Sequence, residues 1–355
     1  MSERITSNET PTRPERPVIT VESELERPDG SRAEFNIELL PDGKPKALAF
    51  FDVDKTLVRL DPVYRESIHE LFPQDPDLDH QLEVYRSAFY FGSSWAEMTR
   101  MRGIYEEGKK QWEVPRVFER ERFKSPEQLI EINNAGSETH TIADKLLHRF
   151  DEIASRVIAE QYQHDPESFE AAKIQPIYHL AEVYKRLGVP MVCMSANPGK
   201  FIRSACKYMG LSDYFIDVAS DWDVEGDKEH KIKYLVERLE SKGVPVPYSR
   251  MIVVGDSIRG DVGAGWRYGQ KLHKNQKEQP VSVKGILVVE DSAALANAEE
   301  RVANDPELKD MVASTDVQAF DLSQVTYSPE GTPNIGGKHR AKFMSRLRNV
   351  SEGQK

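Results

Sequence analysis

Five short apolar runs, separated by helical patterns, constrain the fold of this 355-residue chain most strongly. The runs lie at Lys46–Asp52, Val189–Met194, Phe215–Ala219, Met251–Val254 and Gly285–Val289. Each is apolar along most of its length, as expected of a strand buried on both faces of a sheet. Helical patterns lie between the later runs, at Ile177–Leu187, Phe201–Met209, Ile232–Leu239 and Ala293–Ala303. This alternation predicts an α/β fold, with a Rossmann-like parallel sheet core and helices on both faces.

One long interval, between the first and second apolar runs, shows helical periodicity and no convincing strand. Its helical patterns are Tyr64–Leu71, Trp95–Tyr105 and Ile142–Ala159. We therefore expect residues 61–170 to form a helical cap domain inserted into a core domain of residues 46–60 and 171–325.

The two ends of the chain carry little apolar patterning. Residues 1–45 hold six prolines and dense charge, and this composition predicts a disordered N-terminal tail. A short hairpin within Phe35–Leu40 is an alternative for part of it. Residues 326–355 are predicted to be a basic, flexible C-terminal tail, because Lys338–Lys355 has six Lys or Arg and one Glu.

Composition excludes several classes of protein. The net charge of −11 argues against a general nucleic-acid binder, and the basic C-terminal tail is a weak hint in the other direction. No apolar run approaches the roughly 20 residues that a bilayer span requires, so we expect no membrane segment. The polar N-terminus and the two cysteines fit a cytoplasmic protein without a disulfide framework.

Acidic residues follow two of the predicted strands. Asp52 and Asp54 end the first, and Asp256 and Asp261 follow the fourth. The carboxyl ends of parallel strands meet at one edge of a sheet, where ligands bind. Carboxylates concentrated there would repel one another, and a Mg²⁺ ion shared with a substrate phosphate relieves that repulsion.

Polar and basic residues that could hold a phosphate occur in the same pattern. Ser195 and Asn197 follow the second strand, just before a predicted helix whose first N–H groups suit an anion, although either side chain could simply cap that helix. A lysine is needed to balance the acids. Lys228, at the start of the helix before the fourth strand, is favoured over Lys231 one turn later.

With these residues in this order, the sequence resembles the haloacid dehalogenase-like hydrolase superfamily over about Lys46–Val289. The segment FFDVDKTLV is similar to its first motif, Ser195 to the second, Lys228 to the third and GDSIRGD to the fourth. The resemblance is to phosphatase members with a helical cap inserted after the first motif. Lys55 departs from the pattern, because it stands where a glycine is commoner.

The resemblance implies a Mg²⁺-dependent phosphatase that hydrolyses a small phosphorylated metabolite. Asp52 would be the nucleophile, which forms an aspartyl-phosphate, and Asp54 the general acid and base. The phosphate would be held by Thr56, Ser195, Asn197 and Lys228. The metal would be bound by Asp52, the backbone carbonyl of Asp54 and Asp256, with Asp261 in support.

Three alternatives remain open from the sequence. A phosphotransferase or phosphomutase would use the same acids with a hydroxyl acceptor instead of water. A non-catalytic module with this fold would serve binding or regulation. A dehalogenase is disfavoured, because displacement of a halide needs no protonated leaving group and so gives Asp54 no task.

Overall fold

The computed structural model describes residues 16–71, 137–224, 226–275, 281–328 and 333–334. Its strands are β1 (Val18–Glu26), β2 (Arg32–Glu38), β3 (Leu48–Asp52), β4 (Met191–Met194), β5 (Val218–Ala219), β6 (Met251–Gly255), β7 (Val283–Val289), β8 (Asp316–Asp321), β9 (Thr326–Tyr327) and β10 (Pro333–Asn334). Its helices are α1 (Asp61–Leu71), α2 (Ser137–His164), α3 (Pro166–Ala171), α4 (Gln175–Arg186), α5 (Gly199–Tyr208), α6 (Lys228–Ser241), α7 (Gly263–Asn275), α8 (Ser292–Asn304) and α9 (Pro306–Ser314).

The centre of the fold is a six-stranded sheet in which all neighbours are parallel. The strand order is β5-β4-β3-β6-β7-β8. Alternate residues of β3 face opposite sides: Phe51 packs with α1, α2, α4 and α5, whereas Phe50 packs with α6 and α7. Helices α8 and α9 pack on β7 and β8. The predicted α/β class, with a parallel sheet between helices, is confirmed.

The strand order places a ligand site at the end of β3. From β3 the sheet extends through β4 and β5 on one side and through β6 on the other, so the order reverses at β3. Crevices at such a reversal are where open α/β sheets bind ligands. Asp52 pairs with Met194 and Phe51 with Val254, so Ser195 and Asp256 leave the sheet at the same edge as Asp52.

In the described part of the interval 61–170 three helices are present, and they confirm the helical patterns predicted at 64–71 and 142–159. The pattern at Trp95–Tyr105 lies outside the described residues. Tyr64 of α1 and Phe150 of α2 are buried in the same cluster as Phe51 of the sheet. The described part of this interval therefore packs on the core, and the division into core and cap stays a prediction.

The prediction of a disordered tail over residues 1–45 is wrong from Val18 onwards. Strands β1 and β2 form an antiparallel hairpin, with Val18 opposite Glu38 and Glu26 opposite Arg32. The hairpin lies beside the edge of the main sheet, where the Glu24 N–H donates to the Ile216 carbonyl at 2.7 Å.

Composition alone does not predict this hairpin, because buried and exposed residues alternate along its short strands. In β1 the buried residues are Val21, Ser23 and Leu25, every second position of a half-buried strand. Most of the six prolines flank the strands rather than interrupt them. The dipeptide Asp29-Gly30, after Pro28, forms the turn, and Gly30 adopts φ 83°.

Other elements also differ from the predicted boundaries. The predicted C-terminal tail begins with structure, because Thr326–Tyr327 pairs with Pro333–Asn334. Strand β8 was not predicted, since it alternates polar and apolar residues at the edge of the sheet, and α7 and α9 were also missed. Among the described residues, no helix combines the length and apolarity needed to cross a bilayer.

The hairpin can be tested with two valines of β1. Val21 is 5% exposed and Val18 is 53% exposed. Val21→Ala should lower the free energy of unfolding by about 2 kcal/mol, from two buried carbons at about 0.8 kcal/mol each and the cavity they leave. Val18→Ala, on the same strand, should change it by less than about 0.5 kcal/mol. Urea unfolding measures both, and equal, negligible effects would mean that β1 is not folded.

Candidate active site

The chain turns sharply after β3 and presents three polar side chains. Asp52 is 4% exposed, Thr56 is fully buried and Asp54 is partly exposed. The turn is closed by Leu57 N–H to Val53 O at 2.9 Å and Lys55 N–H to Val58 O at 2.7 Å. Lys55 has φ 57°, a left-handed conformation that glycine adopts without strain. This explains why glycine is the commoner residue here in the family that the sequence resembles.

Lys228 lies between two of the predicted acids. Its Nζ is 2.6 Å from Asp52 Oδ1 and 2.5 Å from Asp261 Oδ1. Lys231 points elsewhere: it is 1% exposed, pairs with Asp221 at 2.7 Å and donates to the Gly226 carbonyl at 3.0 Å. The geometry therefore favours Lys228 over Lys231 as the lysine of this site. Asp227, one residue earlier, caps α6 by accepting from the Glu229 and His230 N–H groups.

A π-helical turn, Ile258–Val262, carries Asp261 back toward the end of β6. The Asp261 Oδ2 accepts from the Ser257 N–H at 2.9 Å. Gly255 makes this approach possible, because a Cβ on it would lie 2.3 Å from the Asp261 carboxylate. Asp52, Asp256 and Asp261 thus offer oxygen atoms that all lie within 4.8 Å of one another.

Burial and mutual repulsion control the charge of these acids. Burial raises the pKa of Asp52, Asp256 and Asp261, and the attraction of Lys228 opposes this rise at each of them. The charges of Asp52 and Asp261 raise the pKa of Asp256 further. Burial would lower the pKa of Lys228, but the negative charges of Asp261, Asp52 and Asp256 raise it overall. The lysine is therefore a permanent cation among acids that hold protons readily.

This donor set fits a hard divalent cation. Three carboxylates in one small space supply the oxygen ligands that Mg²⁺ prefers, and they leave room in its coordination for water and substrate oxygens. The grouping contains Asp52 and Asp256, which were predicted as ligands, and adds Asp261. The side chain of Asp54 is not part of it, and its Oδ1 accepts from the Leu60 N–H at 3.2 Å. The predicted Asp54 ligand was its backbone carbonyl, which stays a prediction.

The polar residues predicted to hold phosphate lie in the turn after β3 and in the loop after β4. Thr56 Oγ1 lies 3.5 Å from Asp52 Oδ2. Ser195 is 1% exposed, and its Oγ accepts from the Asn197 N–H at 3.1 Å, which leaves the hydroxyl proton free to point at a ligand. Neither Ser195 nor Asn197 caps the following helix, since the residue before α5 is Pro198.

A residue that the sequence analysis did not single out occupies the start of α5. Asp151, on α2, accepts from the Phe201 N–H at 2.6 Å and the Lys200 N–H at 3.1 Å. The N–H groups expected to suit a phosphate are therefore filled by the chain's own carboxylate. A sequence signal for this existed: Asp151 lies on the apolar stripe of α2, between Leu147 and Ala154.

Comparison with known proteins identifies the family. A sequence model of the family described as "Hydrolase: haloacid dehalogenase-like hydrolase" matches residues 46–269. The chain belongs to the haloacid dehalogenase-like hydrolases. This match confirms the resemblance seen in the four motifs. No curated protein is significantly similar to the sequence.

Several solved structures are similar to this chain at low identity. The protein described as the putative HAD-hydrolase YfnB from Bacillus subtilis, bound to magnesium, has 14% identity, covers 68% of this chain and 88% of its own, and has a TM-score of 0.38. CbbY from Rhodobacter sphaeroides, in complex with phosphate, has 16% identity, 68% and 85% coverage and a TM-score of 0.41. A putative beta-phosphoglucomutase from Thermotoga maritima has 16% identity, 86% and 99% coverage and a TM-score of 0.34. Likeness at this level gives no information about substrate.

The raised pKa values of the carboxyls predict how Mg²⁺ binding depends on pH. Acids with raised pKa values retain protons in the metal-free protein, and a cation must displace those protons to bind. Affinity for Mg²⁺ should therefore rise with pH, by about tenfold or more between pH 5 and pH 7. Isothermal titration calorimetry in two buffers of different ionisation enthalpy measures both the affinity and the protons released. Affinity that does not change with pH would contradict the burial of these carboxyls.

Proposed function

We propose that this chain is a Mg²⁺-dependent phosphatase that hydrolyses a small phosphorylated metabolite through an aspartyl-phosphate on Asp52. The observation that carries the proposal is the position of Lys228, whose Nζ lies within 2.6 Å of both Asp52 and Asp261 at the carboxyl edge of the sheet. A cation held against a buried carboxylate, beside two further acids, is an arrangement suited to a dianionic phosphoryl group and a metal ion.

The first step is attack by Asp52. One Oδ atom of Asp52 forms a bond to phosphorus while the ester P–O bond breaks, and the leaving oxygen takes the proton of Asp54. Burial raises the pKa of Asp52, which on its own would protonate the nucleophile, and the pairing with Lys228 favours the ionised form that attack requires. Lys228 also neutralises charge on the nonbridging oxygens.

The second step returns the enzyme to its starting state. Asp54 accepts a proton from a water molecule, the water oxygen bonds to phosphorus, and the bond to Asp52 breaks to release inorganic phosphate. The Leu60 N–H holds one oxygen of Asp54, which orients the carboxyl for both proton transfers. Leu60 immediately precedes α1, so the orientation of Asp54 depends on the start of the segment inserted after β3.

The remaining polar residues bind the phosphoryl oxygens. The hydroxyls of Thr56 and Ser195 are buried at the carboxyl ends of β3 and β4, and Asn197 follows in the loop after β4, so these residues would supply donors to the phosphoryl oxygens. Asp52 and Asp256 would hold Mg²⁺ with Asp261 in support, and the ion, when bound, neutralises phosphoryl charge.

We also propose a cytoplasmic location and a free small molecule, rather than a nucleic acid or a membrane lipid, as substrate.

Removal of the nucleophile tests the function. The purified chain should hydrolyse a generic aryl phosphate with Mg²⁺ present, and EDTA or Asp52→Asn should abolish turnover, since the amide of asparagine cannot form the aspartyl-phosphate. Asp316→Asn is the matched control. Asp316 begins β8, the last strand of the sheet, and therefore lies at the amino ends of the strands, away from the site. It pairs with Lys284 at 3.0 Å. Full activity in Asp52→Asn would overturn the proposal. Phosphate transfer to an added sugar instead of water would indicate a phosphotransferase.

The role of Asp54 is tested by the leaving group. Asp54→Asn should lower the rate on an alkyl phosphate by about 10²–10⁴-fold, because its alkoxide needs a proton to depart. The loss in the first step should be much smaller with a nitrophenyl phosphate, whose leaving group is stable as an anion. Pre-steady-state kinetics separate the first step from hydrolysis of the intermediate. An equal loss of the first step on both substrates would show that Asp54 is not the acid.

A further inference from the structure

Asp151 links three separate segments of the chain around one buried carboxylate. It is 2% exposed and accepts from the Phe201 N–H, the Lys200 N–H and, at 2.8 Å, the indole Nε1 of Trp222. Asp151 belongs to α2, within the interval inserted after β3, whereas its partners belong to α5 and to the loop after β5. The contact therefore joins the inserted segment to the loops that follow β4 and β5.

The direction of the helices places this contact at the phosphate side of the site. Asp151 lies at the first turn of α5, and Tyr162 contacts Tyr208 at its last turn, with ring centroids 5.1 Å apart. Helices α2 and α5 consequently run in the same direction. The first turn of α5 follows directly from the loop of Ser195 and Asn197, so Asp151 fixes the far end of that loop.

Trp222 extends the same contact to a second loop. Its ring lies against Gly199, where a Cβ would come within 2.8 Å of the indole Cδ1. His148, one turn before Asp151 on α2, stacks on the indole at 4.2 Å between ring centroids. The neighbouring Asp221 N–H donates to the Asn197 carbonyl at 3.2 Å. One carboxylate thus determines where both loops lie.

A buried acid at this place has a cost that its three donors offset. Burial raises the pKa of Asp151, with the N–H groups of Phe201 and Lys200 and the indole of Trp222 opposing that rise, so the charged form carries a desolvation cost. An apolar residue would continue the stripe of Leu147 and Ala154 without that cost, but it would leave the three N–H donors without this acceptor. The carboxylate supplies what an apolar residue cannot, which is a fixed position for the first turn of α5.

We propose that Asp151 is a positioning residue for the substrate phosphate: it holds the Ser195–Gly199 loop in the conformation that binds the phosphoryl group. The inference rests on the proposed function where it is tested by kinetics. Where it is tested by phosphate binding, it rests only on the position of Ser195 at the same edge of the sheet as Asp52. It acts through Ser195 and Asn197, since its own oxygens are occupied by the three donors.

Two substitutions separate positioning from packing. Asp151→Leu removes every acceptor, and Asp151→Asn retains one carbonyl oxygen for the Phe201 N–H. Asp151→Leu should raise KM for an aryl phosphate, and Ki for inorganic phosphate, by about tenfold, with kcat within about threefold, because ground-state phosphate binding is lost. Asp151→Asn should show a smaller rise. Asp291→Asn is the matched control, since Asp291 caps α8 with bonds of 2.9 and 2.8 Å to the Ala293 and Ala294 N–H groups.

The outcomes distinguish this inference from the function on which it rests. If the Asp151 variants lose thermal stability as Asp291→Asn does, while KM and Ki stay at wild-type values, Asp151 is only a helix cap and the inference fails. If Asp151→Leu does not fold, Trp222→Phe serves as the second variant, because it removes one of the three donors. It should raise Ki for inorganic phosphate about threefold, and an unchanged Ki in this variant overturns the inference. If wild-type protein has no turnover, the proposed function fails. The inference is then tested only by calorimetric binding of inorganic phosphate with Mg²⁺ present. Weaker binding in Asp151→Asn supports the inference, and equal binding, or no binding to either protein, overturns it.

Discussion

The balance of charge around Lys228 is the constraint on which this site depends. Three acids, Asp52, Asp256 and Asp261, converge at the end of two adjacent strands, and burial makes each of them costly to ionise. Lys228 reaches between them from the start of α6 and offsets part of their charge. The same crowding of carboxyl groups that makes ionisation costly in the metal-free protein is what makes the site attractive to a divalent cation. Stability and function therefore oppose each other at this edge of the sheet.

Parallel strand register converts distant sequence positions into one site. Residues 52, 195 and 256 are far apart along the chain, yet each follows a strand whose pairing with its neighbour is fixed by buried side chains. A slip of one residue would turn Phe51 and Phe50 to the wrong faces, and the two cores could not both be filled. Packing in the sheet thus sets the positions of Asp52 and Asp256, and the turn after β6 adds Asp261.

Much of this arrangement could be predicted from the sequence, because buried parallel strands are uninterrupted apolar runs and their ends are marked by polar residues. Lys228 was favoured over Lys231 on position alone, and the contacts with Asp52 and Asp261 support that choice. The hairpin of β1 and β2 was missed, since its apolar positions alternate with charged ones among prolines. Asp151 was missed for another reason: its partners Phe201 and Trp222 are far away in sequence, and only the folded chain brings them together.

The hairpin has a consequence for how much of the chain makes up the folding unit. Strand β5 is two residues long and lies at the edge of the sheet, where an uncovered strand would offer its backbone to another molecule. The hairpin bonds to Ile216 just before β5, and Glu24 reaches Lys242 and Arg238 at the end of α6. A chain trimmed to the span that the family shares, from residue 46, would lack this cover and would be prone to self-association. The span that matches the family and the span that covers the edge of the sheet are therefore not the same length.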